Sequence, residues 1–109
     1  MSSLPGTDEP QRFWARVEYD GTDFYGFQVQ AAERTVQGEI ERALEAVTAA
    51  KTRVVGAGRT DRGVHARGQV VSFSAAWRHE LPDLHRALNA VLAADVAILE
   101  LDLASEGFH

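Results

Sequence analysis

Arg53-Val54-Val55-Gly56-Ala57-Gly58-Arg59-Thr60-Asp61-Arg62-Gly63-Val64-His65-Ala66-Arg67-Gly68-Gln69-Val70-Val71-Ser72-Phe73 sets a short apolar run on each side of a polar, glycine-rich stretch. β-branched runs bounded by glycine read as strands, so this segment predicts two strands joined directly by a loop. The strands are expected at about Thr52–Ala57 and Gly68–Ser74, with Val71 and Phe73 on one face. The loop holds one carboxylate, Asp61, between Arg59 and Arg62, with His65 and Arg67 beyond. A carboxylate among cations stays ionised at neutral pH, and an oriented one can act as nucleophile or general base. Asp beside Arg in a glycine-rich turn is equally the pattern of a structural ion pair or Asx-turn. The residue types alone leave both readings open.

Moving upstream, Val36, Ile40, Ala43, Leu44 and Val47 recur at i, i+4, i+7, i+8 and i+11, the stripe of an amphipathic helix over Thr35–Ala49. Thr35 is its expected N-cap. Glu41, Arg42 and Glu45 read as a solvated face. Before the helix, residues 22–34 form a loop containing Phe24, Tyr25, Phe27 and Gln28. Such aromatics either pin a loop to the core or stack on bases. Phe13, Ala15, Val17 and Tyr19 alternate with Arg12, Trp14, Arg16 and Glu18, predicting a strand from Arg12 to about Tyr19. Residues 1–11 lack apolar periodicity and are expected to be a disordered tail.

Downstream, Trp77–Glu80 reads as a linker. Pro82 suits a first helical turn, and Leu84, Leu88, Val91 and Leu92 repeat the stripe to about Ala94. Val96–Leu103 predicts the last strand, with Ala97, Leu99, Leu101 and Leu103 sharing a face. The order β-α-β-β-α-β implies an α+β, ferredoxin-like fold, two helices on one face of an antiparallel sheet.

At 109 residues, 45% hydrophobic and 25% charged, the composition is that of one soluble globular domain. No apolar run reaches the roughly 20 residues a membrane helix needs, and no signal peptide is visible. With no cysteine, disulfides and thiolate metal sites are excluded, which fits a cytoplasmic protein. The net charge of −5 disguises a local excess. Lys51, Arg53, Arg59, Arg62 and Arg67 face only Asp61 within residues 51–67, so a basic loop on an acidic body can still meet phosphates. His65 follows Asp61 by four residues without helical periodicity, a poor metal pair. Gly56-x-Gly58 precedes a loop, which argues against a dinucleotide site. No metal or cofactor is indicated.

The stretch Arg59-Thr60-Asp61-x-Gly63-Val64-His65-Ala66, followed by Gly68-Gln69-Val70-Val71, resembles the signature of the tRNA pseudouridine synthase A family. Tyr19-Asp20-Gly21-Thr22-x-Phe24-Tyr25-Gly26-Phe27-Gln28 and Thr35-Val36-Gln37-Gly38-Glu39-Ile40-Glu41 add two further matches in the family's order. The resemblance implies an isomerase that converts uridines 38, 39 and 40 of the tRNA anticodon stem-loop to pseudouridine. It maps the nucleophile onto Asp61 and its orienting partner onto Arg59. Arg62, His65, Arg67, Phe27 and Gln28 become expected RNA contacts. Phe27 departs from the family's usual Trp, keeping the aromatic face and losing the indole donor. The resemblance also implies that residues 12–109 are the N-terminal half of a two-domain homodimeric enzyme. The absent C-terminal domain would line the other wall of the cleft, so this half alone is expected to be inactive. A non-catalytic RNA-binding module of the same fold is the alternative reading.

Overall fold

The computed structural model describes residues 7–20, 35–56 and 66–104. In chain order these form β1 (Thr7–Tyr19), α1 (Val36–Thr48), β2 (Val54–Gly56), β3 (Ala66–Trp77), α2 (Leu81–Val91) and β4 (Val96–Leu103). The four strands make one sheet in the order β2-β3-β1-β4, with every neighbouring pair antiparallel. The expected β-α-β-β-α-β arrangement is therefore the observed one. Both helices cover one face, and the core lies between them and the sheet.

Strand alternation and helical stripes meet in that core. Phe13, Ala15, Val17 and Tyr19 of β1 face Val71, Phe73, Ala75 and Trp77 of β3 on the covered side. The Phe13 and Phe73 rings stack at 5.4 Å between centroids. Val36, Ile40, Ala43 and Leu44 of α1 are buried and Val47 packs against them, as the stripe predicts. Thr35 caps α1, its Oγ accepting from the Gly38 amide at 3.1 Å. The other end closes on Ala49, whose φ of 64° is left-handed.

Several expectations need correction. The first strand starts at Thr7, so residues 7–11 belong to β1 and not to a tail. A register break falls between Thr7 and Gln11, where Pro10 has no amide to donate. Trp77 ends β3 and is no linker, because its indole donates to the Glu80 carbonyl at 2.8 Å and ties β3 to α2. Helix α2 stops at Val91, short of Ala94, because Leu92 turns extended. On β4 the shared face is Val96, Ile98, Leu101 and Leu103, without Ala97 or Leu99. The register shifts as Arg16 pairs Glu100 and Val17 pairs Ile98, and this bulge flips the strand's parity. Leu99, the extra residue, is left 41% exposed.

The sheet's two edge strands are held in matching ways. On β2, the Val54 amide donates to Glu41 Oε2 at 2.8 Å, and the Val54 carbonyl accepts from Gln37 Nε2 at 2.6 Å. On β4, the Ile98 amide donates to Asn89 Oδ1 at 2.8 Å, and its carbonyl accepts from Asn89 Nδ2 at 3.0 Å and from His85 Nε2 at 2.7 Å. Each pair of side chains is spaced i, i+4 on its helix. Glu41 is thus an edge clip and not a solvated residue. Arg42 is likewise engaged: it bonds Glu39 and donates to the Val91 carbonyl at 2.7 Å, while Glu39 accepts from the Ala93 amide. Together these bonds join α1 to the end of α2.

Candidate active site and its frame

Chain direction decides where the motif-bearing segments attach. Strands β1 and β2 both run antiparallel to β3, so β1 ends, β2 ends and β3 begins at the same end of the sheet. Tyr19, at the end of β1, pairs with Ala66 on one side and Val96 on the other. It is buried, and the next residue's amide, that of Asp20, donates to the Asp95 carbonyl at 3.0 Å. In sequence, the segment after Asp20 starts and the segment before Ala66 ends at this junction.

Strand β2 is only three residues long, and Gly56 pairs with Val71. Residues Ala66 to Val70 of β3 therefore extend past β2 and pair with β1 alone. Gly56 and Ala66 stand five register positions apart on β3, roughly 17 Å at a strand's rise per residue. Nine residues join them, spanning Asp61 and its basic neighbours. The other segment runs from Asp20 to the Thr35 cap, fixed by the Gly38 and Glu39 amides.

Asp61, Arg59, Arg62 and His65 lie outside the described residues, as do Phe27 and Gln28. Arg67 is in β3, opposite Glu18 of β1. What the described residues establish is the frame. Two segments far apart in sequence, carrying the aspartate and the aromatics, are anchored to one end of one sheet. Among the described residues no group of three or more His, Asp or Glu side chains is placed to hold a metal ion. None of their helices is long and apolar enough to cross a membrane.

On the sheet face that the helices leave open, β1 presents Arg12, Trp14 and Arg16. Strand alternation separates these residues from the core, but sequence gives no sign of their cross-strand partners. Arg16 pairs with Glu100 of β4 at 2.6 Å. Arg12 instead reaches Ser72 and Ser74 of β3.

A protein-family model described as tRNA pseudouridine synthase matches residues 15–104, which include both anchoring strands and both connecting segments. The chain belongs to the tRNA pseudouridine synthase family. It is 44% identical over 99 residues to tRNA pseudouridine synthase A of Borrelia hermsii, covering 91% of this chain and 40% of that protein. It is 50% identical over 102 residues to the enzyme of the same name from Latilactobacillus sakei, covering 91% of this chain and 40% of that one. Against the one from Roseiflexus castenholzii it is 50% identical over 94 residues, 86% of this chain and 35% of the relative. The chain thus spans about two fifths of the length of these synthases. In this family context, the Tyr19–Ala66 end of the sheet is the candidate active-site end.

Proposed function

We propose that the chain forms part of a tRNA pseudouridine synthase acting on uridines 38, 39 and 40 of the anticodon stem-loop. One observation supports this reading: Tyr19, at the start of the aromatic motif in the sequence, pairs with Ala66, the last residue of the aspartate motif.

The reaction breaks the bond from ribose C1′ to uracil N1, turns the base, and joins C1′ to C5. The C5 proton leaves to a base and N1 regains one, so the product is an isomer. The target nucleotide must first leave its stack. In this reading Asp61 is the nucleophile, attacking either C1′, as carboxylates do in glycoside cleavage, or the uracil ring. Arg59 holds the carboxylate ionised and aimed through a planar fork. Arg62 and Arg67 meet backbone phosphates, and His65, Phe27 and Gln28 contact the nucleotides around the target.

Since the chain spans about two fifths of its relatives, the reading includes a second domain that supplies the opposite wall of the cleft. It also includes a homodimer working in the cytoplasm. A base must be held about 3 Å from its nucleophile with water excluded, and one wall does neither. The test is tritium release from C5-labelled uridine in an anticodon stem-loop, using the complete protein. The unmodified protein is expected to release tritium and Asp61→Asn to release none, with its melting curve unchanged. Equal turnover by the Asn variant would remove Asp61 from the mechanism.

A further inference from the structure

We propose that the open face of the sheet carries a binding site for a backbone phosphate of the RNA, formed by Arg12 and Ser74. The proposal rests on the RNA-modifying reading above and adds a contact far from the motif loop.

The site is built from hydrogen-bond donors. Arg12 NH1 donates to Ser74 Oγ at 3.1 Å and Arg12 NH2 to Ser72 Oγ at 2.8 Å. Both hydroxyl oxygens act as acceptors there, and Ser74, at an exposed position, retains its own O–H to donate outward. A guanidinium has five N–H donors, so Arg12 has several to spare. Arg16, Arg42 and Arg86 each meet a carboxylate: Glu100, Glu39 and Asp83. Arg12 makes no ion pair among the described residues. Ser72 is only 3% exposed, so it anchors the Arg12 guanidinium from beneath and does not itself meet a ligand. The Arg12 backbone is fixed too, its carbonyl accepting from the Ala104 amide at 2.8 Å. A held cation beside an exposed hydroxyl donor suits an anion with several acceptor oxygens, and charge-assisted bonds to phosphate are the strong kind.

The surroundings select a nucleic-acid phosphate. Trp14 pairs with Ser72 across the strands and lies half-buried on the same face. Val55 pairs with Ser72 from the other side and is 49% exposed. An exposed arginine on a sheet strand, with the neighbouring carboxylates confined to β4, suits the phosphate of a polyanion. The carboxylates Glu100 and Asp102 both stand on β4, and Glu100 is taken by Arg16. An RNA strand would therefore cross β1, β3 and β2 and avoid β4. Arg12 lies seven residues from Tyr19 along β1, roughly 23 Å. Such a site positions RNA and takes no part in the chemistry.

The test is fluorescence anisotropy of a labelled anticodon stem-loop titrated with the complete protein across a series of salt concentrations. Arg12→Ala is expected to weaken binding about fivefold to tenfold and to lower the salt slope by about one. Ser74→Ala, a change at an exposed position, is expected to weaken it about twofold to threefold. In turnover assays both variants are expected to raise KM and leave kcat. Wild-type affinity and slope in both variants would overturn the site, even if the protein makes pseudouridine. So would a loss of thermal stability in Arg12→Ala with an unchanged slope, which would mean that Arg12 serves only to tie β1 to β3. If RNA binding depends on Arg12 but no pseudouridine forms, the site stands and the synthase reading falls.

Discussion

Ala49 is a non-glycine residue in left-handed conformation, with φ of 64° and ψ of 23°. A Cβ there costs about 1–2 kcal/mol. Glycine removes that cost but loses about 0.5–1 kcal/mol more to unfolded-state entropy. The first effect wins, so Ala49→Gly is expected to stabilise the protein by about 0.5 kcal/mol. Urea denaturation checks this: the midpoint rises while the slope stays fixed. A lower midpoint would mean that the cap is not strained. The Thr35 cap was legible because a threonine stood directly before an apolar stripe. The Ala49 cap was not, since glycine is the residue that announces such an end. Arg59 supplies a second prediction. Under the proposed mechanism Arg59→Lys keeps the charge and loses the fork, so kcat is expected to fall at least tenfold. Equal kcat would show that charge alone suffices.

The edge clips belong to the scale of elements. An edge strand offers unpaired amides and carbonyls to any passing strand. Here the polar i, i+4 pairs Gln37/Glu41 and His85/Asn89 occupy those groups at Val54 and Ile98. Asn89→Ala leaves the Ile98 amide without its acceptor, while His85 still serves the carbonyl. The expected cost is about 1–2 kcal/mol. Native-state hydrogen exchange is the measurement, with faster exchange at Ile98 than at Val17 in the sheet centre. Unchanged protection at Ile98 would show the clip to be dispensable. No sequence period reveals such a contact, because a polar residue on a helix flank looks solvated until its edge strand is known. The β4 bulge was hidden for a related reason. The sequence alternates cleanly with Ala97, Leu99, Leu101 and Leu103 on one face, and only the pairing with Arg16 and Val17 shows the register shift that moves Val96 and Ile98 onto the core side.

At the scale of the molecule, the β-α-β-β-α-β order was readable because each element has its own period and the two central strands follow one another directly. The site was legible only as motifs. Asp61 and Arg59 were found by residue type, spacing and resemblance, whereas the pairing of Tyr19 with Ala66 follows from strand direction. The Arg12 cluster escaped notice because its partners lie 60 and 62 residues away on β3. The described elements close one core between the helices and the sheet. Residues 1–109 are therefore expected to unfold cooperatively by themselves, with coincident near- and far-UV transitions. Under the proposed function they are also expected to show no turnover on tRNA. Turnover near that of the complete protein would show that the second wall is unnecessary.

The placement of β1 has a consequence for the timing of folding. It is the first strand made and sits in the middle of the sheet, yet Phe13 pairs with Leu103, ninety residues later. A chain growing at about 5–20 residues per second takes roughly 5–20 s to cover that interval. Throughout it, one side of the central strand has no partner, and the pairing that completes the sheet joins the two ends of the domain. Such long-range closure makes folding slower than that of a helical bundle of similar size. The nascent chain thus exposes Phe13, Ala15 and Val17 for longer than any other core strand, and it is this strand that a ribosome-bound chaperone would meet first.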